Sequence, residues 1–431
     1  MKNTTYYAAL VFLSCSFAFG QTQEKVLWSF GTDPNDGSLP NGGLVFDKAG
    51  NLYGTTQRGG SVCSEDCGTA FELSPLPDGT WQETILYNFC SGGLGNACPD
   101  GQSPHGGLIL DAKGNLYGMT TYGGYNASHD GYGGTVFELS PPSAQSGNWT
   151  ETVLWNFGSP GDGAYPYGKL AFDAAGNLYG TTSETVTSGL GAVFELSPSP
   201  SGWTEKVLYT FCPNYPDCSD GETPLAGVTF DKSGNLYGTT TYGGCCSLGW
   251  GVVYQLSPSQ TGWTETVLHR FTSTGGYPRS EVNFDQAGNL YGTDSGGNDN
   301  KPSCGGVFRM SPTQGGWKNY GAFSFNNSGV SGCEPWAAVY VDSTDGAVFG
   351  TTSEGGSYSA GTAFKLTQHG HTVVQEILYD FCQETGCADG IEPDTFLTPS
   401  SGQLYGTTAS GGTGSGCGLV GFCGVVFQIT P

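Results

Sequence analysis

Five times this chain places an aspartate in the pattern Asp-Gly-x-x-Pro: Asp36–Pro40, Asp100–Pro104, Asp162–Pro166, Asp220–Pro224 and Asp389–Pro393. A ring of such carboxylates would suit Ca²⁺, a hard cation that takes 6–8 oxygen ligands. The same residues are also turn chemistry, because an Asp side chain caps the backbone of its own loop. No DxDxDG loop accompanies them, so the turn reading is preferred and calcium is the one cofactor the pattern leaves open. Tyr122 and Tyr242, each followed by Gly-Gly, offer aromatic faces on which a sugar could stack. Packing against a neighbour explains them equally well. Of five histidines, His105 and His129 fall in variable loops, as general bases or as solvated loop residues. Glu184, Glu222, Glu334 and Glu392 lie in or beside the same loops. Two of them could form an acid pair for glycoside cleavage, but nothing selects the two. Nucleophile elbow, HExxH, phosphate loop and dinucleotide fingerprint are all missing. The candidate ligand-binding residues are therefore Asp36, Asp100, Asp162, Asp220, Asp389, Tyr122, Tyr242 and His105. No catalytic residue is singled out.

The cysteines carry a different chemistry. Residues 1–20 read as a secretory signal: Lys2, an apolar Ala8–Phe19, and a small-x-small site at Ala18-Phe19-Gly20 before Gln21. Lipidation at Cys15 is a weaker rival, since Phe12 suits that signal poorly. Without Cys15, fourteen cysteines remain of the fifteen. Most fall in local pairs: Cys63/Cys67, Cys90/Cys98, Cys212/Cys218, Cys245/Cys246, Cys382/Cys387 and Cys417/Cys423, with Cys304 and Cys333 over. In an exported chain such spacing reads as disulfides. Zinc would need two converging Cys/His pairs, and only Cys63-x3-Cys67 has the spacing. Adjacent Cys245 and Cys246 could close only a strained eight-membered ring.

These residues must be carried by a repeat. GNLYGTT-like runs occur seven times, at Asn51, Asn115, Asn177, Asn235, Asn289, Ala347 and Gln403. Each unit then holds a GTVFELSP-like run, and six go on to a WTETVLYNF-like run. The seventh such run stands at the N-terminus, as Thr22–Phe30. Each unit has room for four short strands. In the first they are Leu44–Asp47 (a), Leu52–Thr56 (b), Thr69–Ser74 (c) and Trp81–Phe89 (d), with Trp81, Glu83, Ile85, Tyr87 and Phe89 expected on one face of d. Pro75 ends strand c. The pattern predicts an all-β, seven-bladed β-propeller over 21–431, closed by strand 22–30 pairing with the last blade, 394–431. A β-solenoid is the alternative, but the units are long for its coils. The LYGTT aromatics (Tyr53, Tyr117, Tyr179, Tyr237, Tyr291, Phe349, Tyr405) are expected between blades. The DxxGN aspartates (Asp47, Asp111, Asp173, Asp231, Asp285) are expected as turn-formers.

At GNLYGTT…GG…GTVFELSP…VLYNF the sequence resembles the bacterial tandem repeat called the Gloeo/Verruco (GloVer) repeat, over nearly all of 21–431. The resemblance implies architecture and export. It implies no activity and no catalytic residue.

A net charge of −24 opposes partners that need cationic surface, which excludes nucleic acid and anionic lipid. No stretch is long and apolar enough to span a bilayer. An exported monomer, periplasmic or extracellular, is expected. In four-stranded blades the b–c and d–a connections share one face, and here that face carries every cysteine after Cys15 and most of the length variation. Loops on a rigid scaffold are where binding usually resides. The sequence therefore predicts a non-enzymatic binding scaffold for a glycan or cell-surface protein. Two alternatives stand beside it: a polysaccharide hydrolase or lyase at the channel mouth, calcium-dependent or not, and a structural envelope protein. An enzyme should show one cluster of unlike acidic and basic residues in the channel. A binder should show loop residues that recur from blade to blade.

Overall fold

A computed structural model describes residues 23–33, 35–62, 67–91, 98–125, 133–143, 147–186, 189–246, 248–273, 275–296, 304–326, 329–414 and 423–431. Residues 1–20, expected above to be a signal, and Cys15, Cys63, Cys417 and His129 lie outside them. The described chain forms seven small antiparallel sheets arranged as a seven-bladed β-propeller. Blade one orders Val45–Phe46, Leu52–Thr56, Thr69–Pro75 and Trp81–Asn88 as strands a to d. Five further blades repeat that order. In blade five strand d is broken into Gly316–Asn319 and Phe323–Ser324, both paired with Gly306–Thr313. Blade seven is built from both ends of the chain. Gln23–Ser29 pairs with Val425–Thr430 in the register Gln23↔Thr430, which supplies its strand d. Closure leaves no terminal sheet edge open to association.

Strand b is buried along its whole length in blade one, because blades pack face to face on both of its sides. Its glycine is set by strand c. A Cβ on Gly54 would lie 2.6 Å from Phe71 Cζ, and the same contact recurs at Gly118 with Phe137 and at Gly180 with Phe194. The LYGTT tyrosines sit between blades as expected: Tyr53 packs with Leu108, Leu116 and Phe137 of blade two. Asp47 forms its turn by accepting the N–H groups of Ala49 and Asn51, the Asn51 amide and the Tyr53 hydroxyl.

Blade four departs in one atom group. Tyr254 takes the phenylalanine position, fully buried, with no partner for its hydroxyl. A buried hydroxyl left unsatisfied costs about 1–3 kcal/mol. Tyr254→Phe is therefore expected to stabilise the protein by about 1 kcal/mol or more. Urea unfolding checks it, and an unchanged or lowered midpoint would contradict the assignment.

Strand d corrects the single-face expectation. Its pairing with strand c shifts register between Ala70 and Phe71, and the extra residue is Leu86. A bulge of one residue reverses the alternation beyond it. Trp81 and Ile85 pack toward the preceding blade with Phe30 and Tyr405, whereas Tyr87 and Phe89 pack toward the following one. The same shift recurs in blades two, three, four, six and seven.

Disulfides join Cys90–Cys98, Cys212–Cys218, Cys382–Cys387 and Cys304–Cys333. Cys67 and Cys423 are also disulfide-bonded. Cys304–Cys333 is the one of these four that ties two blades, joining the b–c loop of blade five to the loop entering blade six. Cys245 and Cys246 depart from the disulfide set: they are exposed free thiols with Sγ atoms 2.9 Å apart. The strain of an eight-membered ring accounts for that. Disulfides of this number belong to an oxidising compartment, outside the cytoplasm. No helix among the described residues is long and apolar enough to cross a membrane.

Candidate functional site at the channel mouth

Each blade is entered by a turn that ends in proline. In all seven, the residue before that proline is a non-glycine at positive φ: Leu39, Ser103, Tyr165, Thr223, Tyr277, Glu334 and Glu392, at 54–58°. Such a residue costs of order 1–3 kcal/mol and persists only when its surroundings hold it. They do so here. Its N–H donates to a carbonyl of the preceding blade, as Leu39 to Cys423, Ser103 to Cys67 and Glu334 to Cys304. The turn then delivers the residue after proline to the centre of the ring. These residues are Asn41, His105, Tyr167, Leu225, Arg279, Trp336 and Asp394, and all seven line one cavity of about 240 Å³. Seven equivalent pegs thus carry seven different side chains.

His105 and Tyr167 form a pair, with Tyr167 Oη 2.5 Å from His105 Nε2 and ring centres 3.9 Å apart. Burial pushes the His105 pKa down to about 4, so the imidazole is neutral near pH 7. Burial pushes Tyr167 above the usual tyrosine range. Across the cavity the Arg279 guanidinium rests over the Trp336 ring, 5.2 Å from its centre. Arg279 Nε is buried without a hydrogen-bond partner, and so is Asp394 Oδ1. Burial, with the charge of Glu392, raises the Asp394 pKa to about 7. Deeper in, Glu281 accepts the Lys169 N–H at 3.2 Å, and burial raises its pKa against the pull of the Lys169 charge. The mouth therefore offers a neutral base, a phenol, a half-ionised acid and a cation stacked on an indole. A second depression, about 740 Å³ and open, lies beside the broken strand of blade five and is lined by His269, Arg270, Asp294, Arg309, Tyr320 and His371, which occupy no common repeat position.

Of the sequence-predicted residues, only His105 is in this cavity. The five Asp-Gly aspartates are set back from it, against strands d. Asp36 accepts the N–H groups of Gly31 and Gly37. Asp100 accepts Ser91 and the Tyr87 hydroxyl, and Asp162 accepts Gly163 N–H and Trp155 Nε1–H. Asp220 accepts Cys212 N–H and the Tyr209 hydroxyl, and Asp389 accepts Gln383 N–H and the Tyr379 hydroxyl. Turn chemistry fixes them there, so they do not ring the mouth. Tyr122 and Tyr242 pair with tyrosines of the next blade's entry turn, Tyr165 at 5.6 Å and Tyr277 at 5.5 Å. One metal-like cluster occurs among the described residues, Cys212, Cys218 and Glu222, and its two sulfurs are already joined in a disulfide. The unlike ring was legible in principle: aligning the units on the proline alone exposes it.

Fold and mouth together define a disulfide-bearing propeller with a non-repeating site at its channel mouth. The chain belongs to the Gloeobacter/Verrucomicrobia repeat family, whose model matches residues 13–249 and 213–420. No curated protein matches it in sequence. Among solved structures it is similar to the polysaccharide lyase Uly1 (11% identity, 97% of this chain and 94% of that one, TM-score 0.49). It is similar also to a periplasmic gluconolactonase of Pseudomonas aeruginosa (14%, 79% and 84%, 0.48). A third is the PQQ-bound aldose sugar dehydrogenase of Streptomyces coelicolor (12%, 95% and 98%, 0.42). These likenesses carry no argument about activity.

Proposed function

We propose that this is an exported binding protein whose ligand sits at the channel mouth and is a small carboxylate-bearing molecule, a sugar acid being the class that fits. The observation that supports this is the ring of unlike residues at the one repeat position aimed at the axis. Arg279 carries the ligand class: a guanidinium with an unused buried Nε is suited to bidentate capture of a carboxylate, and Trp336 beside it supplies a stacking surface. Asp394, increasingly protonated as pH falls below about 7, would then donate rather than repel. The disulfides hold the surrounding loops, which lowers the entropic cost of binding.

A second reading is favoured by the close His105–Tyr167 pair. An acid–base enzyme acting on a uronate-containing glycan would use that pair to move a proton. The cluster of unlike acid and base in the channel supports this reading more than the sequence did.

Calorimetry with glucuronate and with glucose separates the cases. Glucuronate is expected to bind, with glucose at least roughly tenfold weaker, and Arg279→Gln is expected to lose roughly tenfold for glucuronate alone. Binding should weaken above pH 7 as Asp394 ionises. Equal binding of both sugars, or none of either, would reject the carboxylate reading. Release of new ends from a uronate oligosaccharide, lost in His105→Ala, would establish the enzyme.

A further inference from the structure

Outside the mouth, the same side-chain constellation recurs at five of the seven blade seams. The loop aspartate that follows strand d of one blade stands beside a strand-d glutamate of the next: Asp36 with Glu83, Asp100 with Glu151, Asp162 with Glu205, Asp220 with Glu265, and Asp389 with Glu24. The bulge in strand d makes this possible, since it sends the glutamate backward and the tyrosine or tryptophan forward along one strand. In all five glutamates Oε1 is buried and has no donor. Two ionised carboxylates held so would repel, and neither can donate. Asp36 and Glu83 are within hydrogen-bond reach, and one proton between them makes an O–H···O⁻ hydrogen bond, the stronger, charge-assisted kind.

The two remaining seams carry the independent observation. Where the loop aspartate is replaced by Ser331, the glutamate position holds Gln375, whose amide Nε2 donates to the Ser331 carbonyl at 2.7 Å. The seam into blade five has no Asp-Gly in its loop, and there the glutamate position holds Asn319, whose amide lies 3.1 Å from His269 Nε2. An amide carries permanently the donor that a carboxyl has only when protonated. Where the loop lacks the aspartate, the glutamate is thus replaced by an amide, which keeps the donor of a protonated carboxyl.

We infer that the five Asp–Glu pairs are proton-sharing clasps that bind each of these strands d to the loop of the blade before it, and that they open together when protons are withdrawn. The device goes beyond the ligand reading and does not depend on it. Burial first, and the facing aspartate second, raises Glu24 to about 8, Glu83 to about 9, Glu151 and Glu205 to about 8 and Glu265 to about 7. The other groups facing them are few. Glu384 and Tyr379 stand near Glu24, Asp33 near Glu83, and Tyr87 near Glu151. Tyr209 and Arg270 stand near Glu265; the Arg270 charge opposes the shift there, and the Tyr379 hydrogen bond opposes it at Glu24. A pKa raised in the folded state contributes stability that is fully present below the unfolded value, near 4.5. It is lost as pH rises through about 7 to 9.

The test is thermal unfolding of the oxidised protein between pH 5 and pH 9. The wild-type Tm is expected to fall by roughly 10 °C or more across that range. Replacing all five glutamates by glutamine, as at Gln375, should flatten the slope. If that variant does not fold, Glu151→Gln alone should remove about a fifth of the slope, and an infrared difference against wild type at pH 7 should show one protonated carboxyl lost. A wild-type Tm that is flat or rises toward pH 9, or a Glu151→Gln variant with no protonated carboxyl missing, would overturn the clasps.

Discussion

Removing Gln23–Ser29 is expected to abolish cooperative folding rather than to trim a terminus. The segment pairs with Val425–Thr430 along its length, and it carries Leu27 into the core and positions Phe30. Phe30 is fully buried, with its ring 5.1 Å from Phe71 of blade one. The Ser29 hydroxyl accepts the Thr413 N–H, and Glu24 stands beside Asp389. Each buried large apolar side chain contributes about 1.5–3 kcal/mol. The losses of Leu27, of the anchoring of Phe30, of a full ladder and of one clasp together reach the ~5–15 kcal/mol that typically separates folded from unfolded domains. The lost strand would also leave Val425–Thr430 as an unpaired edge, which invites association. Expression of the shortened chain followed by calorimetry checks this. A single sharp transition within a few degrees of the full chain would mean that closure contributes little.

The second large effect lies inside one blade. Phe137→Ala is expected to cost about 3–5 kcal/mol, the usual loss for emptying a buried aromatic site. Gly118→Ala should cost about 1–3 kcal/mol by overpacking, since its Cβ would lie 2.6 Å from Phe137 Cζ and 2.9 Å from Leu108 Cδ2. The double variant should cost clearly less than the two together, because the cavity left by the ring accepts the new methyl. Urea unfolding of the three proteins gives the coupling. Strict additivity would show that the glycine is not there to admit the ring.

That dependence of glycine on ring is also why the fold was legible. GNLYGTT and GTVFELSP carry their physics locally: an Asp-capped turn, a buried strand, a glycine under an aromatic. Repetition sevenfold then fixed the architecture, and Thr22–Phe30 fixed the closure. Strand d was misread because its bulge falls at Leu86, and leucine gives no signal of a register shift. The Asp-Gly aspartates were legible as turns but not in where they point, since four of their glutamate partners lie 43 to 51 residues on in sequence, Glu24 lies at the other end of the chain from Asp389, and each pair meets only across a seam. The pairing of Cys304 with Cys333 likewise depends on two blades being neighbours. At the mouth, His105 drew notice because histidine is scarce in this chain. Asn41, Leu225 and Trp336 are ordinary residues, and their meaning lies in differing from one another at equivalent positions.

The seven entry turns have a consequence for redesign. Each is held by its own proline, its own left-handed residue and a backbone bond to the neighbouring blade, none of which involves the side chain that follows. Frame and specificity are therefore addressed separately. A library varied only at positions 41, 105, 167, 225, 279, 336 and 394 would sample new recognition chemistries on one unchanged backbone. The ring is a seven-letter word that can be respelled without rewriting the grammar beneath it.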